Sequence, residues 1–307
     1  MALKIISGKI NRAQKVVIYG SEGIGKSTLA SQFPDPLFID TEGGTSHMDV
    51  NRIDKPASWP ELLAVIDEVA REDVCKTLVL DTADWAEQMC IEYVCIKYKQ
   101  ESVESFGYGK GYTYIGEEFA RLLRGLDGVV ASGKHVVVTA HAKMRKFEQP
   151  DEMGAYDRWE MKLSRQVAPL LKEWADMLLF MNYKTMVVVD ENKSNKATGG
   201  KRVIYTSHHP CWDAKNRHGL SDEIPASFGS LAEIFQAEPK RFTKLDSVHE
   251  LMEQDQITEA EICEVAGQRK KAPESVKELS ELDPAVYDWI IKYWPQIVKA
   301  VNENRVY

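Results

Sequence analysis

Three absences narrow what this 307-residue chain can be. No run approaches 18 consecutive apolar residues, so no segment is long enough to span a bilayer as a helix. The apolar part of the opening, residues 1–8, is too short for a signal peptide, and the chain reads as cytoplasmic with no membrane partner. Cysteine is scarce and unpatterned: Cys75, Cys90, Cys95, Cys211 and Cys263 are odd in number and contain no C-x-x-C, which excludes a disulfide framework and a Cys-rich zinc site. Positive charge is in deficit, with 39 Lys and Arg against 47 Asp and Glu and a net charge of -8. The chain as a whole would be repelled by nucleic acid, so any DNA contact has to be local. Repeats and low-complexity tracts are also missing, and a 44% hydrophobic, 28% charged composition belongs to a folded chain.

What is present alternates between strand and helix. Residues 15–19 form a β-branched run, 20–25 break it, 26–33 suit a helix, and 36–40 read as a second buried strand. Ser58 and Glu61 make a capping-box signature before Leu62, Val65, Ile66 and Val69, which share a helical face. Residues 77–81 are a third strand. Phe119, Leu122, Leu123, Leu126, Val129 and Val130 have helical spacing, and 134–139 read as a strand again. Residues 178–181 make a fifth core strand, and 186–189 with 202–206 suggest a hairpin around the polar stretch 191–200. The expected fold is α/β, a mainly parallel sheet covered on both faces over residues 1–238. A small helical domain is expected over 239–307, with Thr258 and Glu261 as a cap, Pro284 in a first turn, and Trp289, Tyr293, Trp294 and Ile297 as a packed face.

Between the first strand and its helix, Gly20-Ser21-Glu22-Gly23-Ile24-Gly25-Lys26-Ser27 fits G-x-x-x-x-G-K-[ST]. Its glycines let backbone N–H groups converge on phosphate oxygens at a helix N-terminus. Lys26 is expected on the β and γ phosphates of ATP and Ser27 on magnesium, with Thr28 next to it in the helix. A magnesium-binding loop needs an acid from a neighbouring strand end, and Asp81 closes Leu78-Val79-Leu80-Asp81. Thr82 follows, so the carboxylate that orients the attacking water must come from elsewhere. Glu42, just beyond the second strand, is the expected source. The cluster His208, His209, Cys211 and His218 matches no standard zinc spacing and reads as structural.

These residues resemble the RecA-like P-loop ATPases over about residues 15–217. Asp40-Thr41-Glu42 is similar to that family's strand-end segment with its catalytic glutamate, Leu80-Asp81 to its Walker B, and Val138-Thr139-Ala140-His141 to the strand ending in a γ-phosphate sensor. More narrowly, residues 38–44 and Phe106-Gly107-Tyr108-Gly109-Lys110-Gly111-Tyr112 look like the ATP-binding proteins of phage recombination and replication modules, including the Sak-type single-strand annealing ATPases. The resemblance implies ATP and magnesium as cofactors, ATP hydrolysis, and assembly into a ring or filament. It implies basic fingers acting on the next subunit, with Lys215-Asn216-Arg217 fitting the usual triplet and Lys201-Arg202 as the competing pair. It further implies two loops holding single-stranded DNA, at 106–113 with Phe106, Tyr108, Lys110 and Tyr112, and at 143–159 with Lys143, Arg145, Lys146, Phe147 and Arg158. A single-strand binding protein or a helicase is a further expected partner. The rival reading is an ATP-dependent adaptor that loads a helicase or other replication protein and touches DNA little.

Overall fold

A computed structural model describes residues 11–148, 154–189, 195–236, 244–273 and 275–305. The chain divides into two compact units, Met1–Lys240 and Arg241–Tyr307.

In the first unit the β-rich runs become β1 (Lys15–Gly20), β2 (Pro36–Asp40), β3 (Asn51–Ile53), β4 (Thr77–Asp81), β5 (His135–Glu148), β6 (Ala155–Met161), β7 (Met177–Val189), β8 (Asn195–Tyr205) and β9 (Glu223–Pro225). They form one sheet in the order β3-β2-β4-β5-β1-β7-β8-β9, with β6 paired to β5 outside that path. The pairings among β1, β2, β3, β4, β5 and β7 are parallel; β6, β8 and β9 are antiparallel additions. The mainly parallel α/β architecture is thus the observed one. Such strands must be apolar on both faces because both are covered. In β1, Val17 and Tyr19 face one core with Ile39, Leu78, Leu80, Val136 and Val138, while Val16 and Ile18 face a second with Phe38, Val79 and Val137.

The first core is closed by α2 (Trp59–Arg71), α3 (Ala83–Lys97), α4 (Lys110–Ala131) and α5 (Val167–Trp174), the second by α1 (Lys26–Ala30) and the short α6 (Ala232–Phe235). α2 starts where its sequence says, with the Ser58 side chain accepting from the Glu61 N–H. Its Leu62, Ile66 and Val69 are buried. On burial, each such side chain contributes about 1.5–3 kcal/mol relative to exposure.

Four expectations need correction. The helix expected over 26–33 stops at Ala30. The stretch 143–159 is not a loop: β5 runs on to Glu148 and pairs in register with β6, Ala142 opposite Met161 through Glu148 opposite Ala155. The stretch 106–113 is only partly a loop, because α4 begins at Lys110, well before its apolar stripe. Finally, β7 extends from Met177 to Val189, so the expected fifth strand and the first arm of the expected hairpin are one element. Part of the polar stretch 191–200 lies outside the described residues.

The second unit has α7 (Lys244–Asp255), α8 (Glu259–Gln268), α9 (Pro284–Lys292) and α10 (Trp294–Asn304) around Val248, Ile262, Leu279, Ile290 and Ile297. Thr258 and Glu261 form a reciprocal capping box, Trp294 donates to Asp255 at 2.7 Å, and Tyr293 is 37% exposed. Among the described residues no helix is long and apolar enough to cross a membrane.

Candidate functional site

The carboxyl ends of β1, β2 and β4 and the middle of β5 meet in one place because these strands run parallel in one sheet, with Gly20 opposite His141 and Asp40 opposite Asp81. The loop after β1 is fixed by close approach. A Cβ at Gly20 would lie 2.3 Å from the Met181 carbonyl oxygen, so only glycine lets β1 and β7 run side by side there. Gly25 adopts a φ of 100°, a left-handed conformation that glycine adopts without strain, and turns the chain into α1. Lys26 is buried, and its Nζ donates to the carbonyls of Gly20 at 3.2 Å and Ser21 at 3.0 Å. Burial pulls its pKa below the usual lysine range, opposed by Asp81, Asp84, Glu42 and Glu22. Ile24 is buried in the second core and anchors the loop, whereas Glu22 and Gly23 are exposed.

Ser27 Oγ donates to Asp81 Oδ2 at 2.7 Å, and the other oxygen of Asp81 accepts from Thr139 Oγ1 on β5. Ser27 and Asp81 thereby present a hydroxyl and a carboxylate side by side, hard oxygen donors of the kind magnesium takes. The Asp81–Thr82 peptide is cis, and Thr41 Oγ1 both accepts from the Thr82 N–H and donates to its carbonyl, each at 2.9 Å.

Glu42 is held in place by its neighbour. Asp40 accepts from the N–H groups of Glu42 at 3.1 Å, Gly43 at 2.6 Å and Thr45 at 2.8 Å, and from the Thr45 hydroxyl at 2.6 Å. Burial alone would raise the Asp40 pKa, but these bonds from Thr45 and the glycine loop hold it below the carboxylate range. The turn so formed leaves the Glu42 side chain 37% exposed, with Oε2 3.9 Å from His141 Nε2. Asp84, in the first turn of α3, was not among the expected site residues. Its carboxylate accepts from the His141 backbone N–H at 3.0 Å and from Nδ1 at 2.8 Å. Burial pushes the Asp84 pKa up, and the His141 hydrogen bonds outweigh it and pull it down.

The remaining expected residues are dispersed. Lys215 donates to the Glu173 carbonyl at 3.3 Å and Arg217 to Asp176 at 3.0 Å, flanking the start of β7 at the opposite end of the sheet from the phosphate loop. Arg202 lies instead against its own phosphate loop, with Nη1 3.4 Å from the Ile24 carbonyl and 2.8 Å from where a Cβ of Gly25 would be. Phe106 packs against Tyr98 and Tyr114. Tyr108 is fully exposed between two left-handed glycines. Lys110 and Tyr112 sit in the first turn of α4, Tyr112 donating to Glu104 at 2.6 Å. On β5, Lys143, Arg145 and Lys146 are exposed, Phe147 meets Tyr156 at 5.5 Å, and Arg158 is tied to Asp213 and to the Pro210 carbonyl. Arg158 is thus committed to an internal ion pair, with its guanidinium over the Phe147 ring. The histidines separate: His209 stacks on Trp212, His208 faces Asp213 and His218 meets Gln14.

The model of a family described as an AAA domain matches residues 12–218, well over half of the chain. The chain belongs to this AAA domain family. Within the AAA domain lie the phosphate loop, Glu42, Asp81, Asp84 and His141. The chain is also similar, at 25% identity over 158 residues, to the SPbeta prophage-derived uncharacterized protein YorG of Bacillus subtilis (strain 168), a match covering 46% of this chain. It spans about half of that relative's length, 47%. A KaiC-like protein, PH0186 from Pyrococcus horikoshii OT3, aligns with a TM-score of 0.39 and 14% identity over 71% of this chain and 87% of its own.

Proposed function

We propose that this AAA domain protein hydrolyses ATP and couples the nucleotide state to single-stranded DNA in phage recombination or replication, assembling as a ring or filament. The observation that carries hydrolysis is the meeting of Glu42, just beyond β2, and His141, midway along β5, on either side of the Ser27–Asp81 pair on which the phosphate loop is tied to β4. The loop's amides and the Lys26 ammonium would hold the β and γ phosphates, with Ser27 and Asp81 as the magnesium-holding residues. Bound there, magnesium would neutralise charge on the phosphate oxygens. Glu42 would accept the proton of the attacking water, while His141 Nε2, beside it, would face the γ-phosphate. Arg202 would lend positive charge to the nucleotide from the same chain, leaving Lys215 and Arg217 for a neighbouring subunit.

The DNA reading draws support from the exposed Lys143, Met144, Arg145 and Lys146, which extend from the same strand that carries His141. The prophage-derived relative is consistent with a phage setting. The test is phosphate release measured with and without single-stranded DNA. Glu42→Gln should retain ATP binding and lose turnover, and DNA should stimulate the wild type in a manner that weakens steeply with salt. Unchanged turnover in Glu42→Gln removes the assigned base. Turnover indifferent to DNA favours the adaptor reading.

A further inference from the structure

The two segments expected to touch DNA meet in a cavity of about 740 Å³ next to the nucleotide site. α4 contributes Tyr112, β5 contributes Lys143 and Arg145, and the turn after β6 contributes Lys162 and Arg165. Four cationic side chains around one concavity run against a chain whose net charge is -8. Two of the four are placed by contacts to the turn and the phosphate loop, and Arg145 stands 3.7 Å from Glu160. Lys143 Nζ donates to the Leu163 carbonyl at 2.8 Å, which ties β5 to the turn. Beneath it Glu87, only 5% exposed, accepts the Ser164 N–H on both carboxylate oxygens, at 3.2 and 3.0 Å, and so curls residues 162–166 around the opening. Burial pushes the Glu87 pKa up, against the hydrogen bonds from Ser164 and the charge of Lys143. On the rim, Lys162 Nζ stands 3.8 Å from Glu22 of the phosphate loop.

We propose that this cavity seats a backbone phosphate of the single strand, held by Lys143, Arg145 and Arg165, and that Lys162 is shared between that phosphate and Glu22. The proposal rests on the single-strand reading above and adds to it residues 162–166, which lie in neither expected DNA segment. A phosphodiester suits the charge, and the remaining volume leaves room for the adjoining sugar and base. Its single negative charge can meet two or three cations without a metal, and the Tyr112 ring beside it offers a stacking surface for the adjoining base. The arrangement also gives the strand a route to the nucleotide: a phosphate that draws Lys162 inward takes a counter-ion away from the phosphate loop.

The test is binding of a fluorescent oligothymidylate by the full chain, titrated at several salt concentrations with a saturating non-hydrolysable ATP analogue occupying the phosphate loop. Arg165→Glu is compared with Arg124→Glu, an equal charge change at an exposed position on α4 that does not line the cavity. Arg165→Glu should weaken binding about 10-fold or more and lower the salt slope by about one, and Arg124→Glu should cost less than about 3-fold. If the wild type binds and the two variants weaken it equally, the cavity is not the seat while the single-strand reading stands. If the wild type binds no strand, that reading fails and the proposal with it. Tripolyphosphate forms a separate arm: Arg165-dependent binding of tripolyphosphate without strand binding would assign the cavity to free phosphate and overturn the strand proposal.

Discussion

Asp84 is a positioning residue whose substitution separates geometry from folding. Its carboxylate holds His141 at two points, the backbone N–H and Nδ1. With the Nδ1–H donating to the Asp84 carboxylate, the ring turns Nε2 towards Glu42, 3.9 Å away. In Asp84→Asn the amide oxygen can still accept from the His141 backbone, but the NH2 group then meets Nδ1 and requires a lone pair there, which moves the ring proton to Nε2. A hydrogen bond to a charged acceptor is worth about 1.5–3 kcal/mol. If that is lost only in the transition state, kcat falls about 10- to 100-fold. KM for ATP should stay within about 3-fold, because the interaction is made beside the γ-phosphate and not with the rest of the nucleotide. Steady-state phosphate release gives both constants, and the ¹⁵N shifts of the His141 ring report the tautomer independently of turnover. Full activity in Asp84→Asn refutes the reasoning. So does a lowered kcat with an unchanged tautomer, since Asp84 would then act through the fold alone.

Other outcomes follow from the same geometry. Gly20→Ala puts a Cβ 2.3 Å from the Met181 carbonyl, backbone against backbone, and should abolish ATP binding or soluble expression, as a nucleotide-binding assay on the purified protein will decide. Burial lowers the His135 pKa from 6.5 to about 4, so between those values the unfolded chain binds the extra proton and stability falls as pH drops from 6.5 to 4. That group alone accounts for a loss of about 3 kcal/mol, and denaturant melts of His135→Gln should show a shallower decline across the same window. Thr258→Ala removes the side-chain half of the α8 cap and should cost about 1 kcal/mol in the unfolding of the helical unit, read by urea titration. Chelating magnesium with EDTA should reduce phosphate release to background while Ser27→Ala weakens the metal dependence, measured as the magnesium concentration for half-maximal rate.

The parts of the molecule written in consecutive residues were legible in the sequence. The phosphate loop is one continuous octapeptide, the strands before and after it are apolar on both faces, and the caps at Ser58 and Thr258 announce their helices. The parts that depend on pairing were not. Residues 143–148 are mostly charged, with only Met144 and Phe147 apolar, and carry no regular alternation; they are extended because β6 supplies a ladder, from Lys143 opposite Glu160 to Glu148 opposite Ala155. The start of α4 at Lys110 is similarly hidden, since its first turns are polar and glycine-bearing and its apolar stripe begins later. Asp84 is 57 residues from His141. Only the sheet order, which puts β4 beside β5, brings the first turn of α3 across from His141 on β5. Arg202 likewise depends on the β7–β8 pairing, which sets it opposite Tyr183 beside the loop after β1.

That sheet order also sets the path along which the proposed site would communicate. β4 lies between β2 and β5, so Glu42, just beyond β2, and His141, midway along β5, come from the two strands that flank Asp81. From His141 the chain continues into Ala142 and Lys143 with no intervening loop, and the ladder with β6 begins at Ala142. A paired strand is stiff compared with a loop, because its backbone groups are committed to a partner. If the γ-phosphate displaces His141 as proposed, the shift would reach Lys143 and Arg145 along one paired ladder, whereas a loop would absorb it locally. The Lys162 N–H donates to the His141 carbonyl at 2.7 Å, so the residue that faces the phosphate loop from the cavity rim is bonded directly to His141.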